Sequence, residues 1–182
     1  MRKTLLFALI LVLLAAGRPS PVVQAQEPAS KKPLAALDFL IGRWEGASEG
    51  QPGVAQVRRE YTRVLGDKFI RVQNQSTYRP QEKNPKGEVH DDVGMFSFDA
   101  ARQRLVLRQF HVEGFVNQYL HDPAQRDKIV FTSEAIENIP AGWRARETYI
   151  THGADEFEEI FELAEPGKEF EAYSHARFQR AS

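Results

Sequence analysis

From Arg43 to Arg180 the chain repeats a single pattern, in which runs rich in Val, Ile, Thr, Tyr and Phe are cut by short clusters of Gly, Pro, Asn and Asp. Such runs are β-strands and the clusters are turns. Strands are expected over residues 43–48, 55–64, 68–78, 89–98, 104–110, 115–121, 128–136, 143–150, 156–163 and 169–180. The connections carry their own turn chemistry, as in "LGDK" from Leu65, "DPAQRD" from Asp122, "HGAD" from His152 and "EPGK" from Glu165. Links this short join successive strands antiparallel, because a parallel crossover needs a dozen or more residues. Two links are looser. "RPQEKNPKGE", Arg79 to Glu88, reads as a solvated loop able to fold over an opening, and "ENIPAG" from Glu137 as a slacker connection.

An open sheet of about ten strands would leave two unpaired edges, and closing it on itself removes both. The expected fold is therefore all-β, an antiparallel up-and-down β-barrel of about ten strands, wide enough to hold a small ligand. A two-sheet sandwich shares the same pattern and is the alternative. One stretch departs from the strand period. "PLAALDFLI" sets Leu34, Leu37, Phe39, Leu40 and Ile41 on one side at helical spacing, which predicts a short N-terminal helix.

A dry barrel alternates strictly, apolar inside and polar outside. Several strands here do not. In "KFIRVQNQSTY" one face carries Phe69, Arg71, Gln73 and Gln75, the other Ile70, Val72, Asn74 and Ser76. "LVLRQFHV" sets Leu105, Leu107, Gln109 and His111 against Val106, Arg108, Phe110 and Val112, and "WRARETYI" sets Trp143, Ala145, Glu147 and Tyr149 against two arginines. Whichever face turns inward brings polar groups with it, and an unpaired buried polar group costs about 1–3 kcal/mol. The pattern predicts a cavity with polar walls. Internal ion pairs among Arg58, Arg71, Arg108, Arg146, Glu134 and Glu147, or a place for them on the solvent side of the barrel, would account for the same residues without a ligand.

The N-terminus is of another kind. Arg2 and Lys3 precede an apolar run from Leu5 to Ala16, and a small residue precedes and follows Gln24. This predicts a signal peptide over residues 1–25, a polar disordered leader over 26–33, and a periplasmic or secreted protein with no membrane anchor after cleavage. The apolar run is short for a bilayer span, although a retained anchor remains the alternative. The chain has no cysteine, which excludes disulfides, thiolate nucleophiles, thiolate metal sites and lipid attachment through a cysteine. A formal net charge of -1 and the lack of a basic stripe with stacking aromatics speak against nucleic acid as partner and leave a small molecule.

"FLIGRWEGASEG" places Gly42 and Trp44 where the helical segment meets the first strand. The glycine permits a close turn and the indole can plug one end of the barrel, with Arg180 or Arg177 of "YSHARFQR" laid over the ring. This opening, followed by a meander ending in an Arg-bearing strand, resembles the calycin superfamily, which includes lipocalins and fatty-acid-binding proteins. Gly42, Trp44, Gly46 and Gly50 more closely resemble the Gly-x-Trp-x-Gly-x-Gly-x-Gly opening of nitrobindin-like haem-binding barrels, with Ser48 standing at one glycine position. The resemblance implies a calycin-like barrel over residues 34–182 and haem as cofactor. In those proteins a histidine at the start of the last strand binds the iron. Laid on that strand, the resemblance puts Tyr173 at the ligand position and His175 two residues on, and His175 is the candidate metal ligand.

His111, in "QFHVEGF", is the candidate for a distal donor in the same cavity. "VHDDVG" gathers His90, Asp91 and Asp92 but reads as a solvated strand entrance, because adjacent residues of a strand face opposite ways. The acidic run "DEFEEIFELAE" reads as solvated surface. No nucleophile elbow, phosphate loop, dinucleotide fingerprint or His-Glu-x-x-His is present. A hydrolase or isomerase would have to rest on a carboxylate pair such as Glu134 with Glu147, and a filled barrel would make the chain a structural or interaction module.

Overall fold

Period-2 runs joined by tight turns pair with their neighbours in order, and the last strand returns to the first. The structure is a computed structural model and describes residues 32–182; the expected signal peptide and the leader up to residue 31 lie outside the described residues. Its strands are β1 (Gly42–Gly50), β2 (Gly53–Val64), β3 (Phe69–Tyr78), β4 (Glu88–Asp99), β5 (Arg104–His111), β6 (Val116–Asp122), β7 (Ile129–Glu137), β8 (Arg144–Thr151), β9 (Glu156–Ala164) and β10 (Glu171–Arg180). They form one closed antiparallel barrel in the order β1-β10-β9-β8-β7-β6-β5-β4-β3-β2. The two-layer sandwich is ruled out.

The N-terminal helix is not α-helical. Ala35–Leu40 forms a 3₁₀-helix of six residues. Leu37 N–H bonds to Leu34 O and Ile41 N–H to Asp38 O, both three residues back. The segment is too short for an α-helical ladder to repay its nucleation, and Ile41 is already extended at ψ 128° to enter β1. It still does what its apolar spacing asked, since Leu37 and Leu40 are fully buried against the barrel end. Trp44 Nε1–H donates to Leu40 O at 2.7 Å, and Arg180 Cζ sits 4.2 Å from the centre of the Trp44 ring. Arg180 also donates to Ile41 O at 2.8 Å and Ala154 O at 2.7 Å, which ties the end of β10 to the helical segment and to the β8–β9 turn. Gly42 has φ +124°, and a Cβ there would lie 2.7 Å from the Arg180 guanidinium.

The seam between β1 and β10 depends on the glycine spacing. A Cβ on Gly46 would lie 2.1 Å from Arg177 O, and one on Gly50 2.1 Å from Tyr173 O. Backbone therefore occupies the space a side chain would need. Ser48 stands between them with its side chain on the inner wall.

Each inward row runs from an apolar floor into a polar belt. On β2 the order is Tyr61, Arg59, Val57; on β4 Phe96, Gly94, Asp92, His90; on β5 Leu107, Gln109, His111; on β8 Tyr149, Glu147, Ala145; on β9 Phe157, Glu159, Phe161. The floor is a cluster of fully buried aromatic rings. Phe157 lies edge-on to Trp44 at 4.7 Å and stacks on Phe178 at 4.6 Å. The loop after β3 is anchored rather than free: Gln81 accepts from Val54 N–H at 2.7 Å and donates to Val54 O at 2.8 Å, and Lys83 donates to Gly50 O.

Candidate functional site

Above the aromatic floor the barrel encloses a cavity of about 570 Å³. That lies within the ~300–1,000 Å³ typical of cofactor and small-molecule sites. Its upper wall is partly apolar and aromatic, through Phe115, Ile136, Ile139, Trp143, Phe161 and Leu163, and partly charged, through Glu88, His90 and Glu113, and its base is the polar belt.

The belt is built around Arg59. Its guanidinium forms a two-pronged pair with the Glu159 carboxylate, one prong at 2.8 Å, although the two residues are 100 positions apart in the chain. Arg59 Nε–H donates to Asn74 Oδ1 at 2.8 Å, and Asn74 Nδ2–H donates to Asp92 Oδ2 at 2.8 Å. Burial opposes the guanidinium charge, but Glu159 outweighs it and holds Arg59 firmly protonated. Glu147 has no such partner. Burial, reinforced by the nearby Glu159 carboxylate, raises its pKa to about 8, and Tyr149 O–H donates to it at 2.5 Å.

Toward the mouth, two strand positions apart on β4, His90 and Asp92 both face inward, and His111 of β5 stands in register with Asp92. His90 Nε2 lies 3.5 Å from Asp92 Oδ2, and Nδ1 lies 2.8 Å from Glu113 Oε1. The bond to Asp92, with Glu113 assisting against burial, raises His90 to about 9. Burial pushes His111 the other way, toward the neutral imidazole. Its ring stacks on Phe115 at 4.1 Å, and Nε2 meets Asn117 Nδ2 at 3.3 Å. Three buried atoms around this cavity have no hydrogen-bond partner: Gln109 Oε1, His111 Nδ1 and Asn117 Oδ1. Native interiors rarely leave such atoms unpaired, so water or a polar group of a ligand meets them here, and an end-for-end turn of the Asn117 amide would pair its Oδ1.

The structure sorts the expected site residues. Tyr173 and His111 line the cavity. His175 does not: it lies on the outer wall, where its ring meets Glu158 at 3.1 Å beside Arg177. The reason is a bulge between Ala172 and Ser174, which breaks the two-residue alternation that would have put Tyr173 and His175 on one face. Glu134 is likewise outside, bonded to Arg102 and Gln118, so it cannot act with Glu147. Arg58, Arg108 and Arg146 also pair on the outer wall, and the internal pair is Arg59–Glu159. "VHDDVG" is no solvated entrance, because the strand turns His90 and Asp92 inward and only Asp91 outward, where Gln75 binds it. Glu159 was hidden in the acidic run; its signal was a charge placed between Phe157 and Phe161 on one face.

The profile of the THAP4-like, heme-binding beta-barrel domain matches residues 33–180. The chain belongs to the THAP4-like haem-binding barrel family. Within solved structures it is similar to the crystal structure of Rv2717c from M. tuberculosis, with a TM-score of 0.60 and 18% identity, covering 82% of this chain and 98% of that one. It is also similar to the S-type phycobiliprotein lyase CPES from Guillardia theta, with a TM-score of 0.52 and 15% identity over 81% of this chain and 91% of that one. A search of curated protein sequences gave no match. The resemblance to nitrobindin-like barrels read from Gly42, Trp44, Gly46 and Gly50 is thus the family itself.

The residues of this THAP4-like barrel fit haem in part of the cavity. The aromatic and aliphatic upper wall suits a flat macrocycle, and Tyr173 and His111 both present iron-ligating atoms to the same hollow. Burial, with Glu88 and Glu113 nearby, raises the Tyr173 phenol, so its phenolate would form only against a metal's charge. The lining is also acidic. Glu88, Asp92, Glu113 and Glu159 face one guanidinium, that of Arg59, while burial keeps Glu147 neutral.

Proposed function

We propose that the protein is an exported binding barrel whose cavity takes up a small, largely apolar molecule, with haem as that ligand. The observation that carries the reading is the open-mouthed hollow of about 570 Å³ above an aromatic floor, with apolar and aromatic groups in its wall and a polar belt at its base. Export is supported by the basic tip, apolar run and small-residue exit within residues 1–25. Haem, when bound, would supply an iron centre able to coordinate protein or exogenous ligands.

The chain's own residues do the rest. The aromatic floor and closed sheet exclude water from three sides. Tyr173, half-buried and edge-on to Phe161 at 5.7 Å, would hold the iron through its phenol oxygen, and His111 would offer an imidazole from β5. The Arg59 guanidinium is already paired with Glu159 and burial keeps Glu147 neutral, so the part of a ligand that meets the belt is neutral.

Titration of the purified protein with hemin tests this directly. The expected result is a saturable shift of the Soret band, altered in Tyr173→Phe or His111→Ala and unchanged in His175→Ala. A Soret region identical to that of free hemin overturns haem as ligand, and loss of the shift only in His175→Ala overturns this placement of the site.

A further inference from the structure

We propose that His90, Asp92 and His111 form a site for one divalent transition-metal ion on the wall of the cavity in the haem-free protein, where it takes the His111 imidazole that haem would otherwise use. One ligand atom from each of the three lies within 4.8 Å of the others. His90 Nε2 and Asp92 Oδ2 are 3.5 Å apart. Metal bonds of about 2.0–2.1 Å in a tetrahedral site set neighbouring ligand atoms about 3.3–3.4 Å apart, so these two already stand at one edge of such a site.

The fold explains why the three converge. His90 and Asp92 are alternate residues of β4 and share its inner face, and Asp92 pairs across the sheet with His111 of β5. Two positions on one strand and one directly opposite make a triangle, with its open side toward the cavity. Three protein ligands and an open position define a site that can still bind water or a ligand.

The surroundings are those of a metal ligand set. The other nitrogen of His90, Nδ1, is held at 2.8 Å by the Glu113 carboxylate, the outer partner that fixes a ligating imidazole. The Phe115 ring locks the plane of His111. Asn117 touches both His111 Nε2 and the Tyr119 hydroxyl through Nδ2, while its own Oδ1 and His111 Nδ1 lack partners. With the amide turned end for end, Oδ1 accepts from His111 Nε2–H and from Tyr119 O–H, and Nδ1 keeps a free lone pair for an ion. Charge agrees: the carboxylates lining the cavity outnumber its single guanidinium, and a dication offsets that excess. Two imidazoles with one carboxylate select zinc, iron, cobalt or nickel over calcium and magnesium, which take oxygen ligands.

The experiment titrates haem-free protein with Co²⁺, read by its visible ligand-field bands, and then displaces it with Zn²⁺. The site predicts one Co²⁺ per chain, released by Zn²⁺, with affinity weakened at least about tenfold in Asp92→Asn and in the more exposed His90→Gln. Tyr173→Phe and His175→Ala should bind Co²⁺ as the wild type does. Near-ultraviolet circular dichroism confirms that each variant is folded. Absence of ligand-field bands at millimolar Co²⁺, or equal affinity in folded Asp92→Asn and His90→Gln, overturns the proposal. Hemin binding by Asp92→Asn, measured in parallel, separates failure of this site from failure of the haem reading.

Discussion

Glu147 shows how a single side chain can carry a pH response in the barrel. It lies among Glu159, Arg59, Tyr149, Tyr61 and Tyr119, and burial keeps it protonated to about pH 8 in place of its ordinary 4.5. Between those two values the folded chain holds a proton that the unfolded chain has released. Folding then takes up a proton, and stability falls as pH rises through this window, by at most about 1.4 kcal/mol per pH unit. Glu147→Gln is expected to flatten urea-midpoint profiles between about pH 5 and 8 and to be the more stable form at the upper end, by on the order of a few kcal/mol. Parallel profiles for the two proteins would contradict this. The residue was legible as a charge on the apolar row Ala145, Glu147, Tyr149, and Arg59 between Val57 and Tyr61 carried the same signal. What the row could not show was their common partner, because Glu159 approaches from β9 across the barrel.

The strands themselves followed from the period of their residues, and all ten formed within a few positions of where the alternation placed them. Parity failed only where the backbone broke it. On β10 the bulge after Ala172 re-aims everything beyond it, which sends His175 outward and leaves Tyr173 at the cavity. The six-residue segment before β1 became a 3₁₀-helix because its length, not its apolar spacing, set the geometry. The β1–β10 seam offers a test at this scale. Gly46→Ala puts a methyl where Arg177 O lies 2.1 Å away, so the strands must part. A loss of more than about 3 kcal/mol, or failure to fold, is expected in denaturant unfolding, since a displaced ladder forfeits hydrogen bonds as well as packing. Ser48→Ala, on the same inner face, already has its Cβ accommodated and should stay within about 1 kcal/mol of wild type.

The barrel of residues 32–182 has one sealed end and one receptive end. Its two tryptophans mark them: Trp44 is buried in the floor under Arg180, and Trp143 lines the cavity. Acrylamide should therefore quench Trp143 emission readily and Trp44 emission hardly at all, so Trp143→Phe is expected to leave a weakly quenchable spectrum. Strong quenching in that variant would mean the floor is open. The residue pattern by itself determined the all-β class, the strand order and the need for closure, because side-chain alternation and turn chemistry act over a few residues and unpaired edges are costly anywhere. Only the tertiary structure decided which polar residues meet inside. A closed sheet brings together strands distant in sequence, so the Arg59–Glu159 pair exists only once the barrel is wound, the His90, Asp92 and His111 triangle depends on the β4–β5 register, and a single bulge on β10 decides which of Tyr173 and His175 reaches the cavity.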